Sequence, residues 1–102
     1  MEADWGLERL AECRAAIDEL DVKIIGLLNE RTKVVLEIGR VKQALSSPIY
    51  EPKREEQVFQ NITSHNSGPL SNDAAKRVFE RIIDEMRTVQ QQRMQKKEEG
   101  SC

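Results

Sequence analysis

Apolar residues recur along the N-terminal half of the chain at alternating steps of three and four: Leu10, Cys13, Ile17, Leu20, Ile24, Leu27, Val34, Ile38, Val41 and Leu45. That spacing keeps one face of a helix turned toward a partner. The pattern predicts a helix from Asp4, read as its N-cap, to about Leu45, where Ser46, Ser47 and Pro48 stop it because the residue before a proline is pushed out of helical geometry. Cys13 reads as a small core residue of the stripe. Roughly 40 residues at about 1.5 Å each make a rod of about 60 Å, whereas a compact domain of this length has a radius of gyration of about 13 Å. Such a rod must lie along another chain. Gly26 and Gly39 weaken it by up to about 1 kcal/mol each, through tolerance or through a close approach that a side chain would block.

A second, shorter helix is predicted from Glu51, with Pro52 at its first helical position, to around Ser64. Val58 and Ile62 define its inward stripe, and steps of three, four and seven back from Val58 reach Glu55, Arg54 and Glu51. Charge therefore shares the face that ought to be apolar. His65 to Leu70 reads as a turn, with His65 solvated, and Ser71 caps a third helix whose apolar face runs Ala75, Val78, Phe79, Ile82, Met86 and Val89. Gln90 lies one turn past Met86 on that face. The expected fold is all-α: three helices, the first very long and laid along another chain.

The whole chain, residues 1–102, reads as one domain, with a fraying tail over about 93–102 that ends in Cys102. With 102 residues, 38% hydrophobic and 33% charged, it is near the low end for a generous single-chain core, so burial between subunits would help it. A formal net charge of −2 lacks the broad positive footprint of a nucleic-acid binder or a membrane-surface binder. No apolar run approaches membrane-spanning length, MEADWGLERL has no secretory character, and the two cysteines form no disulfide framework, so a cytoplasmic setting is expected.

The interruption of the apolar stripe falls at Arg31. Desolvating a guanidinium is costly unless an anion or a carboxylate meets it, so Arg31 marks either an internal anion site or a structural ion pair with a glutamate of the same bundle. Lys42, eleven residues on, is rotated by about 1100° and so returns within roughly 20° of the same face, about 16 Å along the axis. Two long cationic side chains can converge on one small anion from there. Arg14 is about 25 Å from Arg31 on the same rod and could join such a site only from an antiparallel neighbouring chain. No activated nucleophile, metal cage or glycine-rich phosphate loop accompanies these residues. Any chemistry must come from positioning and electrostatics.

The stretch CRAAIDELDVKIIGLLNERTKVVLEIGRVK, followed by IYEPKREEQV and RVFERIIDEMRTVQ, resembles the all-helical class of chorismate mutases over about residues 8–92. The resemblance implies an isomerase that needs no metal and no cofactor and converts chorismate to prephenate in aromatic amino-acid biosynthesis. It also implies an intertwined homodimeric helical bundle with shared active sites, each taking one arginine from the partner. By this likeness Arg14 of the other subunit and Arg31 bind the substrate carboxylates, Lys42 and Gln90 donate to the ether oxygen, and Glu51, Arg54 and Glu55 surround the ring hydroxyl. Glu51 replaces the aspartate often found in the family, and Met86 stands where a small polar residue can occur. The same arginines, lysine and glutamine occur in isochorismate pyruvate lyases of this fold, which lack the glutamate at position 55. A helical dimerisation or regulatory module without chemistry would explain Arg31 but not the joint occurrence of Arg14, Lys42, Glu55 and Gln90.

Overall fold

The computed structural model describes residues 2–100, with side chains described over residues 4–95. Three helices follow one another: α1 (Glu2–Ala44), α2 (Pro52–His65) and α3 (Asn72–Gly100). No strand occurs among the described residues. α1 begins two residues before Asp4, which therefore lies inside the helix and does not cap it. α3 continues past Arg93 to Gly100, and Cys102 lies outside the described residues.

The chain divides into two compact units, residues 1–33 and 34–102. The first consists of α1 alone. Cys13 is exposed there, contrary to the expectation of a core position, because nothing within this unit packs over the stripe. The same holds along the rest of the stripe, where Leu10, Ile17, Leu20, Ile24, Leu27, Val34, Ile38, Val41 and Leu45 each retain 44 to 69% of their accessible surface. Gly26 faces open space, and a Cβ on Gly39 would meet Gln90 at an ordinary 3.6 Å, so within the chain neither glycine is required by a close approach.

In the second unit α2 packs on α3. Val58, Phe59 and Ile62 are half-buried on α2, facing an α3 stripe in which Ala75 and Met86 are buried and Phe79, Ile82, Ile83 and Val89 half-buried. Val78, expected on this face, is exposed, and Ile83 takes part instead. The stripe winds along the helix surface because two steps of 3.6 residues do not sum to seven. Lys76 rests its ammonium 5.4 Å from the centre of the Phe59 ring, adding a cation–π contact at the edge.

Each connection is defined by its hydrogen bonds. α1 ends in a Schellman motif: the Ser46 N–H donates to the Gln43 carbonyl at 3.2 Å and the Ser47 N–H to the Lys42 carbonyl at 2.8 Å, with Ser46 at φ +55° where glycine is usual. Between α2 and α3 the Asn66 amide donates to the Leu70 carbonyl and to Asn72 Oδ1, both at 2.8 Å, and its own oxygen accepts from the Gly68 N–H. Gly68, at φ +79°, occupies the left-handed region that side chains avoid. Ser71 Oγ accepts from the Ala74 N–H at 3.0 Å, the N-cap bond expected from sequence. Replacing Ser71 with alanine is therefore expected to lower unfolding free energy by about 1 kcal/mol, measured by urea denaturation at fixed protein concentration. An unchanged midpoint would mean that the cap carries no stability.

Candidate active site

Six of the eight residues singled out from sequence, Lys42, Glu51, Arg54, Glu55, Met86 and Gln90, lie in the second unit. Lys42 projects from the last turn of α1 and is 16% exposed; its ammonium donates to the Ile49 carbonyl at 3.1 Å and forms an ion pair with Glu51. The Schellman motif explains this arrangement, since it reverses the chain directly after Lys42 and returns residues 49–51 across its side chain. Glu51 occupies the N-cap position of α2 but makes no side-chain cap bond, and its carboxylate pairs with Lys42 instead.

Gln90 on α3 is buried, and its Nε2 donates to the Val35 carbonyl of α1 at 2.9 Å. A helical carbonyl has a second lone pair beyond the one used inside the helix, so the contact need not break α1. Met86, one turn earlier, is buried beside it along the same face. α3 thus presents a thioether and an amide toward the site, the amide fixed by backbone.

Glu55, on the first turn of α2, forms an ion pair with Arg87 of α3, and their side chains are 24% and 29% exposed. The Arg87 guanidinium also lies 5.0 Å from the centre of the Tyr50 ring, and its Nη1 is 3.7 Å from Asp84. Arg87 and Tyr50 were not apparent from sequence. Arg87 directly follows Met86 in a helix rich in surface arginine, and only the packing of α2 on α3 reveals that it turns toward Glu55. Arg54 is exposed, on the outer side of the α2 first turn.

The remaining two sequence-selected residues belong to the first unit. Arg14 is exposed on α1, while Arg31 is half-buried and engaged in an interaction of its own. Within the second unit there are therefore two fixed hydrogen-bond donors, Lys42 and Gln90, and a carboxylate, Glu55. Such a set can bind an anion and stabilise charge developing on oxygen. No described helix is long and apolar enough to cross a membrane, and no three His, Cys, Asp or Glu side chains among the described residues cluster as metal ligands would.

Comparison with known proteins gives this set a context. The profile of the family described as chorismate mutase type II matches residues 13–91. The chain is 36% identical over 81 residues to the bifunctional chorismate mutase/prephenate dehydratase of Aquifex aeolicus, covering 76% of this chain and 22% of that protein. It is 31% identical over 90 residues to the chorismate mutase of Methanocaldococcus jannaschii, covering 84% of this chain and 88% of that one. Among solved structures, the Helicobacter pylori chorismate mutase in complex with prephenate is similar with a TM-score of 0.79 at 29% identity, over 84% of this chain and 93% of that chain. Form II of the chorismate mutase from Thermus thermophilus gives a TM-score of 0.79 at 32% identity, over 81% of this chain and 94% of that one. The chain spans only about a fifth to a quarter of the bifunctional relatives it matches.

Proposed function

The chain belongs to the chorismate mutase type II family, and on that premise we propose that it rearranges chorismate to prephenate in the cytoplasm as a homodimer with shared sites, without metal or cofactor. The observation that carries the proposal is the pair of donors from two different helices, Lys42 and Gln90, each anchored on a backbone carbonyl. An ammonium has three N–H groups and a primary amide two, so each anchor leaves capacity to donate to a substrate oxygen. The shift is intramolecular: the ether C–O bond breaks as a C–C bond forms, and no proton moves. An enzyme for it must hold the dianion in a compact conformer and meet the charge gathering on the ether oxygen. Arginine forks on the carboxylates serve the first need, and donors that require no reorganisation serve the second.

The dimer is supported by α1. Its apolar stripe is left in water by the chain's own units, and burying a large aliphatic side chain is worth roughly 1.5–3 kcal/mol, so a second copy laid along it is strongly favoured. An antiparallel partner would also bring its own Arg14 to the site that Arg31 serves. Glu55, paired and held on α2, favours the mutase over an isochorismate pyruvate lyase, whose sequences lack that carboxylate.

The direct test is the loss of chorismate absorbance with appearance of prephenate, against isochorismate as control; a chain that releases pyruvate from isochorismate and leaves chorismate intact would refute the assignment. Lys42→Ala is expected to lower kcat by about 10²–10³-fold, since a donor to the breaking bond is felt most in the transition state. If only KM rises, Lys42 does not act there. Mixing inactive Arg14→Ala and Arg31→Ala chains is expected to restore activity, because a mixed dimer has one site carrying both defects and one carrying neither. Mixed dimers that form but stay inactive would rule out sharing.

Gln90 also predicts a pH signature. An amide donates at any ordinary pH, whereas a carboxyl in its place donates only when protonated. Gln90→Glu is expected to turn over best in acid and to lose turnover as its carboxyl ionises. The Val35 carbonyl that Gln90 now meets favours the protonated acid whereas the Lys42 ammonium favours the ionised one, so the prediction is the acid-side optimum and not its midpoint. The wild type should be flat over the same interval, and superimposable kcat profiles would exclude Gln90 as a donor to the reacting oxygen.

A further inference from the structure

Arg87 is a half-buried charged residue of the second unit that the proposed mechanism leaves without a task. Its placement is unlike that of a surface arginine. It lies between Met86 and Gln90 on α3, its Nη2 meets Glu55 Oε1 on α2, its guanidinium stacks 5.0 Å from the Tyr50 ring, and its Nη1 is 3.7 Å from Asp84. One side chain therefore touches α2, α3 and the segment that joins α1 to α2.

Desolvating a carboxylate that is three-quarters buried is costly without a cation beside it, and a flexible side chain needs a fixed partner to remain in one rotamer. Arg87 supplies both to Glu55. Its bond falls on Oε1, which leaves the acceptor capacity of Oε2 for an incoming hydroxyl. Tyr50 confines the guanidinium from a second direction, and Tyr50 directly precedes Glu51, the partner of Lys42. The Glu55–Arg87 pair and the Lys42–Glu51 pair are thus linked through the adjacent residues Tyr50 and Glu51.

We propose that Arg87 is a positioning residue for the rearrangement, holding Glu55 oriented so that Glu55 accepts a hydrogen bond from the hydroxyl of the substrate ring. The proposal rests on the mutase reading and adds to it a residue outside the set that the family likeness supplies. Arg87 does not touch the substrate; it acts through Glu55.

The test is a double-mutant cycle on the full chain, with kcat and KM for chorismate measured for wild type, Arg87→Met, Glu55→Gln and the double variant, alongside urea stability. Each single substitution is expected to lower kcat/KM by about tenfold, expressed mainly in KM, and the double variant by little more than either alone, because residues in one ion pair do not act independently. Arg87→Lys, which keeps the charge, is expected to recover most of the loss. A structural role alone would lower stability and leave KM and the cycle additive, which would overturn the proposal. If Arg87→Met does not fold, Arg87→Lys replaces it in the same cycle, with an expected loss of about threefold that must vanish in the Glu55→Gln background. An active wild type with an additive cycle defeats the role of Arg87 alone, whereas a wild type that leaves chorismate intact defeats the mutase reading and this role with it.

Discussion

The hydrogen bond from Gln90 to the Val35 carbonyl is the constraint on which the second unit depends. Few side chains among the described residues are buried, and one of them is this amide, so the contact that α3 makes with α1 in this unit is carried by a polar group. A buried amide without a partner would be costly, and the contact satisfies it with a backbone acceptor that cannot rotate away. From that fixed point Met86 and Arg87 take their directions along α3. The end of α1 is held where Lys42 can be crossed by the chain as it turns back.

The charges of the unit follow the same logic. Lys42, Glu51, Glu55 and Arg87 form two ion pairs of opposite sense: in one the cation lies on α1 and the anion at the head of α2, in the other the anion lies on α2 and the cation on α3. Each pair joins different elements, so each constrains the arrangement of helices as well as local side chains. Because their partners are largely withdrawn from water, desolvation offsets much of what each pair gains. Their value is directional, since each fixes side chains of two elements relative to one another.

Much of this was legible in the sequence, for identifiable reasons. The three helices were visible because the 3.6-residue period is strong in each and the breaks carry specific turn chemistry: Ser46–Pro48 in one, Asn66–Pro69 in the other. Ser71 was recognisable as a cap because hydroxyl caps act over three residues and need no tertiary information. Lys42, Glu55 and Gln90 could be selected because their places on helix faces conflict with burial. Arg87 could not, since its position one residue beyond Met86 matches a solvated flank, and only the packing of two helices turns it inward. Cys13 shows the opposite limit. Periodicity gives the face that wants cover without saying which chain supplies it.

The two connections differ in how freely they could be rewritten. The turn from Asn66 to Ser71 is closed by its own amide and hydroxyl contacts and contributes no residue of the candidate site. Insertions or a graft at its tip would be absorbed locally, as exposed loop tips generally allow. The segment from Leu45 to Glu51 has no such latitude. Its first residues close the Schellman motif on the Lys42 carbonyl, and its last ones deliver Ile49 and Glu51 to the Lys42 ammonium, so both ends are referred to a single residue. One added residue would shift the register between the backbone and side-chain contacts of Lys42, so the length of this loop, more than its sequence, is what keeps both contacts on one residue.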